Sequence, residues 1–482
     1  MKLIEILEDS EVVAIAGDEG VEVSELTFDS RAVRKGSCFF AIVGERSDGH
    51  DFIAQAVASG ASAVVCSRMP GQRAEGVTYV QVGETHEALG LMASAFYGHP
   101  SRELHLVGIT GTNGKTTTAT LLCDMFRALG YEAGLISTVE CRIGARRIES
   151  THTTPDPIRL NSMLREMASC GCQYCFMEVS SHAAVQRRTA GLHFAGGIFT
   201  NITHDHLDYH KTFAEYIRAK KSFFDSLPPT AFALVNVDDR NGRVMVQNTR
   251  AAVHGMSMRS AADFTCRVQE MHFDGMELQF GRDEVWVQFL GRFNAANLLS
   301  VYAAALLLGA DRTEVLGELS RLRPVSGRFE YMTSADGVTA IVDYAHTPDA
   351  LRNVLETIGE IRREGRVTVV CGCGGDRDRT KRPEMARIAV AYADTAVFTS
   401  DNPRSEEPEA ILQEMIAGLD AGARYLKITD RAEAIRMAVL MARTGDIILV
   451  AGKGHETYQI VGSEKRHFDD REHIAAAFAM RN

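Results

Sequence analysis

Short unbroken apolar stretches alternate along this chain with longer segments whose apolar residues recur every three or four positions. The first pattern predicts buried strands and the second predicts helices packed on them. Between residues 101 and about 322 it predicts strands at 105–110, 172–179, 196–200 and 231–237, with helices at 115–129, 213–227 and 294–308. Such crossovers are what a mostly parallel sheet needs. From 253 to 290 the strands shorten and polarity alternates, which predicts an antiparallel insert. Arg323-Pro324 opens a second boundary. Beyond it, strands at 338–342, 366–371, 395–399 and 446–450 alternate with helices near 349–361, 382–393, 408–419 and 431–443, a second unit close to doubly wound. The first hundred residues predict a smaller α/β unit, with strands at 38–43 and 63–66 around a helix from 51 to 59 that Gly60 ends. Residues 26–31 are expected in a loop before it, and the turn-rich Tyr97-Gly-His-Pro-Ser101 in a linker after it. The expected fold is therefore α/β in three domains, 1–100, 101–324 and 325–482, and 482 residues suit about three domains of ~150 residues each.

One junction in this pattern carries chemistry. The strand at 105–110 runs into Gly111-Thr112-Asn113-Gly114-Lys115-Thr116-Thr117, and a helix follows. Strand, glycine loop and helix in that order form a phosphate cradle. The glycines let backbone N–H groups turn inward, and the helix N-terminus adds positive potential. Lys115 is placed for the terminal phosphates and the Thr116 hydroxyl for Mg²⁺. The loop is one residue shorter than the usual Gly, four residues, Gly-Lys-Ser/Thr. A second run, Phe176-Met-Glu-Val-Ser-Ser-His182, sets Glu178 near the C-terminal end of a central strand, where open α/β sheets hold their ligands. A carboxylate there can share the Mg²⁺ of Thr116, whereas a partnerless buried one would be costly. The third run, 199–210, gathers His204, His206 and His210 with Asp205 and Asp208, which suggests metal or phosphate work; a solvated polar loop is the plain alternative.

Composition narrows the classes. A hydrophobic fraction of 45% with 24% charged residues suits a globular enzyme. The net charge of −11, with no Lys/Arg block, argues against a nucleic-acid partner, so anionic phosphates need local capture sites. Acids among the first ten residues argue against a signal peptide. The longest helical apolar run, 298–310, falls short of a membrane span. The expected location is the cytoplasm, which would keep the ten cysteines reduced. Cys170, Cys172 and Cys175, or Cys371 and Cys373, could bind a metal. Their spacings match no common zinc pattern, and 172–179 reads as a buried strand, where free cysteine acts as a small apolar residue.

At the level of motifs the chain resembles a known family. GTNGKTT, EVSSH, the histidine loop with the Ala219-Lys220 that follows it, Gly291-Arg-Phe-Asn-Ala-Ala-Asn297 and Asp343-Tyr-Ala-His346 are similar, in this order, to motifs of the Mur ligases of peptidoglycan synthesis. The similarity spans essentially the whole chain, and within the family it is strongest to the branch that adds the third amino acid of the stem peptide. The resemblance implies a UDP-sugar-binding domain (1–100), a central P-loop ATPase (101–324) and a Rossmann-like C-terminal domain for the incoming amino acid (325–482). It implies ATP and two Mg²⁺ sites, with Thr116, Glu178, His206 and a carbamylated Lys220 as ligands. The physics agrees: an ammonium would be repelled by Mg²⁺, whereas a carbamate is the oxygen anion Mg²⁺ prefers.

By the same resemblance, Asn297, Asp343 and His346 contact the nucleotide. Arg328, in Gly327-Arg-Phe-Glu330, crosses from the C-terminal domain to the γ-phosphate as an electrostatic clamp. Ser30, Thr153, Thr154, Ser180, Gln186 and Arg188 would hold the UDP-sugar, and His152 stands where some relatives have asparagine. Asp401-Asn402-Pro403-Arg404, with Arg377, Gly452 and Glu456, would hold meso-diaminopimelate. Arg404 can bind that substrate's second carboxylate bidentately and repel the side-chain ammonium of lysine. The implied reaction is ATP-dependent addition of meso-2,6-diaminopimelate to UDP-MurNAc-L-Ala-D-Glu through an acyl phosphate, by a monomer without nucleic-acid or membrane partners. The rivals are a folylpolyglutamate synthase-like γ-glutamyl ligase, a plain kinase, and a nucleotide-gated binding module without chemistry.

Overall fold

The computed structural model describes residues 1–44, 47–150, 152–203 and 207–481. Its centre is an eleven-stranded sheet in the order Asp283–Val287, Gly275–Phe280, Phe264–His272, Ala252–Ser257, Phe232–Asn236, Gly196–Phe199, His105–Thr110, Tyr174–Glu178, Ala133–Ile136, Glu140–Ile143, Arg146–Glu149. Pairing is parallel from Phe264–His272 across to Ala133–Ile136 and antiparallel at both ends. The unbroken apolar strands follow from this. In His105–Thr110, Val107 and Ile109 enter the core beneath helices Lys115–Ala128 and Arg292–Leu307, while Leu106 enters the core on the opposite face. Both faces are covered, so neither can be polar. The antiparallel insert expected over 253–290 is narrower than that: Ala252–Ser257 pairs in parallel on both sides, and the meander is formed by Phe264–His272, Gly275–Phe280 and Asp283–Val287.

The C-terminal unit holds a six-stranded sheet in the order Glu330–Thr333, Thr339–Asp343, Ile447–Ala451, Val367–Cys371, Thr395–Phe398, Tyr425–Lys427, parallel except at its first edge. Helix Arg431–Met441 is tied to the last helix, Asp470–Ala479, by a doubly hydrogen-bonded pair. Arg431 Nε and Nη2 each lie 2.8 Å from a carboxylate oxygen of Asp470, and both side chains are fully buried. Removing one partner would leave an uncompensated buried charge. Asp470→Ala is therefore expected to destabilise the protein by about 3–5 kcal/mol, read from the shift of its denaturant midpoint.

The N-terminal unit is a five-stranded sheet in the order Val12–Ala16, Thr78–Val82, Ala63–Cys66, Ser37–Phe40, Glu25–Thr27. Here one expectation is corrected. Residues 26–31 do not begin in a loop, because Glu25–Thr27 pairs in parallel with Ser37–Phe40 as an edge strand. Three residues are too few to display a period of two. The unit sits on the central one through helix Thr85–Phe96, which packs on Pro157–Ser169, and Ser94 Oγ donates to the Gly191 carbonyl at 3.0 Å. All ten cysteines are unpaired and only Cys170 is exposed; burial pushes the thiols of Cys66 and Cys373 up to about 11. Among the described residues no helix is long and apolar enough to cross a membrane.

Candidate active site

The glycine loop joins strand His105–Thr110 to helix Lys115–Ala128 as the sequence predicts. Gly114 has φ +88°, and a Cβ there would stand 2.4 Å from Asn297 Oδ1, so only glycine fits the turn. The end of the neighbouring strand clasps the loop. Thr200 Oγ1 donates to the Asn113 carbonyl at 2.6 Å, and the Asn113 N–H donates to Asn201 Oδ1 at 3.0 Å. Lys115 Nζ lies within the loop, donating to the carbonyls of Gly111 (2.9 Å) and Thr112 (2.8 Å). Thr117 is buried in the first turn of the helix.

Glu178 ends its strand beside the loop, almost wholly buried. Its Oε1 accepts from Thr116 Oγ1 at 2.9 Å and from the Thr138 N–H at 2.7 Å, and its Oε2 from Thr138 Oγ1 at 3.2 Å. The lone-acid alternative is thereby answered: the carboxylate has three donors. Lys220, on helix Phe213–Asp225, approaches the loop from the other side. Its Nζ donates to the Gly111 carbonyl at 2.7 Å and lies 4.6 Å from the Tyr216 ring centroid. The Thr116 hydroxyl and the Glu178 carboxylate are hard oxygen donors of the kind Mg²⁺ takes, and they already touch. His206 lies outside the described residues, as do His204 and Asp205. His210 is buried against Ser181 Oγ at 2.8 Å.

Two clefts meet at this loop. The first lies between the central and C-terminal units and is lined by Asn113, Gly114, Thr117, Asn297, Asp343 and His346 among others. Asn297 Nδ2 donates to Asn294 Oδ1 at 3.3 Å. His346 Nδ1 lies 2.9 Å from the Tyr344 carbonyl. Asp343 is turned inward: Oδ2 accepts the Phe329 N–H at 2.7 Å and Oδ1 the Ala345 N–H at 2.8 Å, while burial pushes its carboxyl up to about 6. Sequence reasoning missed Asp349, which accepts from Asn113 Nδ2 at 3.2 Å and so links the glycine loop to the C-terminal unit. Thr347-Pro348-Asp349 is legible as a helix start, because Thr347 caps the helix and proline occupies its first turn. Nothing in that signal announces a contact across the cleft.

The second cleft shares Asn113, Gly114, Arg328, Tyr344 and His346 with the first. It runs past Glu178 and Lys220, with Thr153, Thr154, Ser180 and Arg188 on one wall and Arg377, Glu456 and Tyr458 on the other. Thr154 Oγ1 donates to the Glu178 carbonyl at 2.8 Å, and Ser180 Oγ caps helix Ser181–Val185 through the Ala183 N–H at 3.1 Å. Arg188 donates to the Thr154 carbonyl at 2.5 Å and through Nε and Nη2 to Gln186 Oε1 at 3.0 and 2.7 Å. Ser30 is not brought to this wall; its hydroxyl lies 3.4 Å from Gln55 Oε1 within the N-terminal unit.

At the far end, Asn402 Nδ2 donates to Glu456 Oε2 at 2.8 Å. Lys453, fully buried and absent from the sequence reading, donates to both, at 3.2 Å to Asn402 Oδ1 and 3.1 Å to Glu456 Oε2. Its signal was the lysine inside Gly-Lys-Gly-His-Glu. Burial, then the neighbouring Asp401, push Glu456 up. The Asp401 carbonyl accepts from Gln459 Nε2 at 2.6 Å, and the Gly452 N–H donates to the Asp343 carbonyl at 3.0 Å. Pro403 is buried. Arg404, at φ +53°, donates through Nη1 to the Gly375 carbonyl at 2.8 Å and stands outside the residues lining this cleft, whereas the exposed Arg377 lines it.

Arg328 closes the site from the C-terminal side. Its Nη2 donates to Thr116 Oγ1 at 3.2 Å, and its guanidinium carbon sits 4.5 Å from the Tyr344 ring centroid.

Fold and clefts together define a nucleotide-dependent enzyme built from three α/β units. Three family models divide the chain among them: the Mur ligase family catalytic domain over residues 22–97, the Mur ligase middle domain over 109–305 and the Mur ligase glutamate ligase domain over 327–454. The chain is 53% identical over 483 residues to the UDP-N-acetylmuramoyl-L-alanyl-D-glutamate–2,6-diaminopimelate ligase of Bacteroides fragilis, covering all of both. It is 42% identical over 492 residues to the enzyme of that name from Geobacillus kaustophilus, again over both full lengths. A solved structure of a ligase of the same name matches at 29% identity with a TM-score of 0.71, covering 100% of this chain and 99% of that one. The chain belongs to the Mur ligase family. The folylpolyglutamate synthase of Mycobacterium tuberculosis matches at 18% identity and a TM-score of 0.61 over 77% of this chain, which is a likeness of fold alone.

Proposed function

We propose that this protein is the ligase that adds meso-2,6-diaminopimelate to UDP-MurNAc-L-Ala-D-Glu at the expense of ATP. The observation that carries the reading is the junction of the two clefts. The glycine loop, Glu178 and Arg328 lie where a nucleotide in the first cleft would meet a phosphoryl-accepting carboxylate in the second. The relatives at 53% and 42% identity bear the name of this reaction.

The γ-phosphoryl group passes from ATP to a side-chain carboxylate oxygen of D-Glu, releasing ADP and forming an acyl phosphate. An amine of diaminopimelate then attacks the acyl carbon and loses a proton. The tetrahedral intermediate expels phosphate and leaves the amide. Lys115 and Arg328 neutralise charge on the transferring group, and the walls of the second cleft hold the acceptor and amine in line. Thr116, Glu178 and a carbamylated Lys220 would hold Mg²⁺, which supplies charge screening between the γ-phosphate and the substrate carboxylate. Thr153, Thr154, Ser180, Gln186 and Arg188 take the sugar peptide, with Ser30 serving the distant end of that substrate on the N-terminal unit. Asn402, Arg377 and Glu456 take the amino acid. Glu456 suits an amino group, and its site is fixed by Lys453. We place the enzyme in the cytoplasm as a monomer, where its nucleotide substrates are made.

Phosphate release measured with each substrate omitted in turn tests this. Release should require ATP, the UDP-dipeptide and diaminopimelate together; full release without diaminopimelate contradicts the reading. Arg404 bears on selectivity. Arg404→Ala is expected to cut the kcat/KM preference for diaminopimelate over lysine by at least tenfold, the size of a lost charge-assisted pair. An unchanged preference would remove Arg404 from recognition.

A further inference from the structure

We propose that Asp343 and Tyr344 form a mount for Arg328, gripping its backbone and its guanidinium so that the arginine is already aimed at the glycine loop before nucleotide arrives. The inference rests on the reading above that Arg328 meets the γ-phosphate, and it gives both residues a positioning role.

The grip has two parts. Asp343 Oδ2 accepts the N–H of Phe329, the residue after Arg328, and Oδ1 is taken by the Ala345 N–H. Both oxygens of this buried carboxylate thus serve backbone, which ties residue 329 to the end of strand Thr339–Asp343. The adjacent Tyr344 presents its ring face to the guanidinium at 4.5 Å. A guanidinium over an aromatic face is held by the ring quadrupole, more strongly once water is excluded. Arg328 Nε is buried with no hydrogen-bond partner among the described residues, so the ring and Thr116 Oγ1 are what fix the fork. The ring is itself wedged between His346, at 4.7 Å between centroids, and His455, at 5.2 Å.

The turn that carries the arginine is pinned as well. Gly327 has φ +67°, and a Cβ there would fall 2.0 Å from the His455 nitrogen, so the turn lies directly on the Gly454-His455 backbone. Its N–H donates to Glu330 Oε2 at 2.8 Å, and Arg471 Nη1 donates to Ser326 Oγ at 2.8 Å. A flexible arginine would lose rotamer entropy on engaging phosphate. One held by a ring and a clamped backbone has little left to lose.

The test compares affinities for ADP and for a non-hydrolysable ATP analogue, both with Mg²⁺, by calorimetry. ADP lacks the group Arg328 meets, so the ratio of the two affinities isolates the arginine from the rest of the nucleotide site. Arg328→Ala and Tyr344→Leu should each lower that ratio about tenfold, the loss expected from a desolvated cation–π pair, with ADP affinity held within about twofold. Tyr344→Phe, which restores the ring face, should recover the ratio. The double variant Arg328→Ala/Tyr344→Leu should fall no further than either single one. The mount is overturned if Tyr344→Leu keeps the wild-type ratio, if it weakens ADP and analogue equally, or if the two losses multiply. An Arg328→Ala variant that keeps the wild-type ratio would instead overturn the γ-phosphate reading of Arg328 itself.

Discussion

Arg328→Ala is expected to lower kcat about a thousandfold while leaving ADP affinity within about twofold. Arginines that reach a transferring phosphoryl group from another structural unit contribute on that scale, because they stabilise the charge spread over its oxygens and the departing ADP oxygen as that bond breaks. Here the guanidinium comes from the first turn of the C-terminal unit and rests 3.2 Å from Thr116 Oγ1, beside the amides at the start of helix Lys115–Ala128. The same contact spans two units, as does the Asn113–Asp349 bond on the other side of the loop, so the clamp is held by both units together. Steady-state rates at saturating substrates check this. A loss below about tenfold would place Arg328 in structure alone.

Lys220→Ala is expected to lower kcat by about 10²–10³-fold, the range for losing one preorganised electrostatic group at a reacting centre. Short carboxylates added to the assay should restore part of the rate, since they can supply the oxygen anion that a carbamate would provide. Lys220→Arg should behave like the alanine variant, because a guanidinium keeps the charge but cannot take up CO₂ as a carbamate. Lys220 is buried and its Nζ reaches the Gly111 carbonyl, so a purely structural lysine would show a different pattern: arginine tolerated and carboxylates without effect. That pattern would remove Lys220 from the metal site.

Legibility followed physical range. Strand His105–Thr110, its glycine loop and the helix after it are contiguous, and each carries a strong local signal in unbroken apolar residues, turn glycines and helix periodicity. Glu178 was legible because its strand is buried on both faces and a charged end stands out. The three-residue strand Glu25–Thr27 and the hairpin of Tyr458–Val461 with Glu464–His467 went unread, since both are too short and polar for a period to show. Contacts between residues distant in the chain were harder still. The turn of Asp343 into backbone amides depends on where residues 325–330 pack, and the Lys453–Glu456 pair meets Asn402 some fifty positions away. Family resemblance drew attention to Asp343 and Glu456, while Lys453, Tyr344 and Asp349 emerged from the packing.

The most direct measurement is the mass of the product formed from ATP, UDP-MurNAc-L-Ala-D-Glu and meso-diaminopimelate. The account predicts one new species equal to the UDP-dipeptide plus diaminopimelate less one water, with ADP and phosphate released one for one. ATP turnover that yields no such adduct, or an adduct formed equally well with folate in place of the UDP-dipeptide, would contradict it.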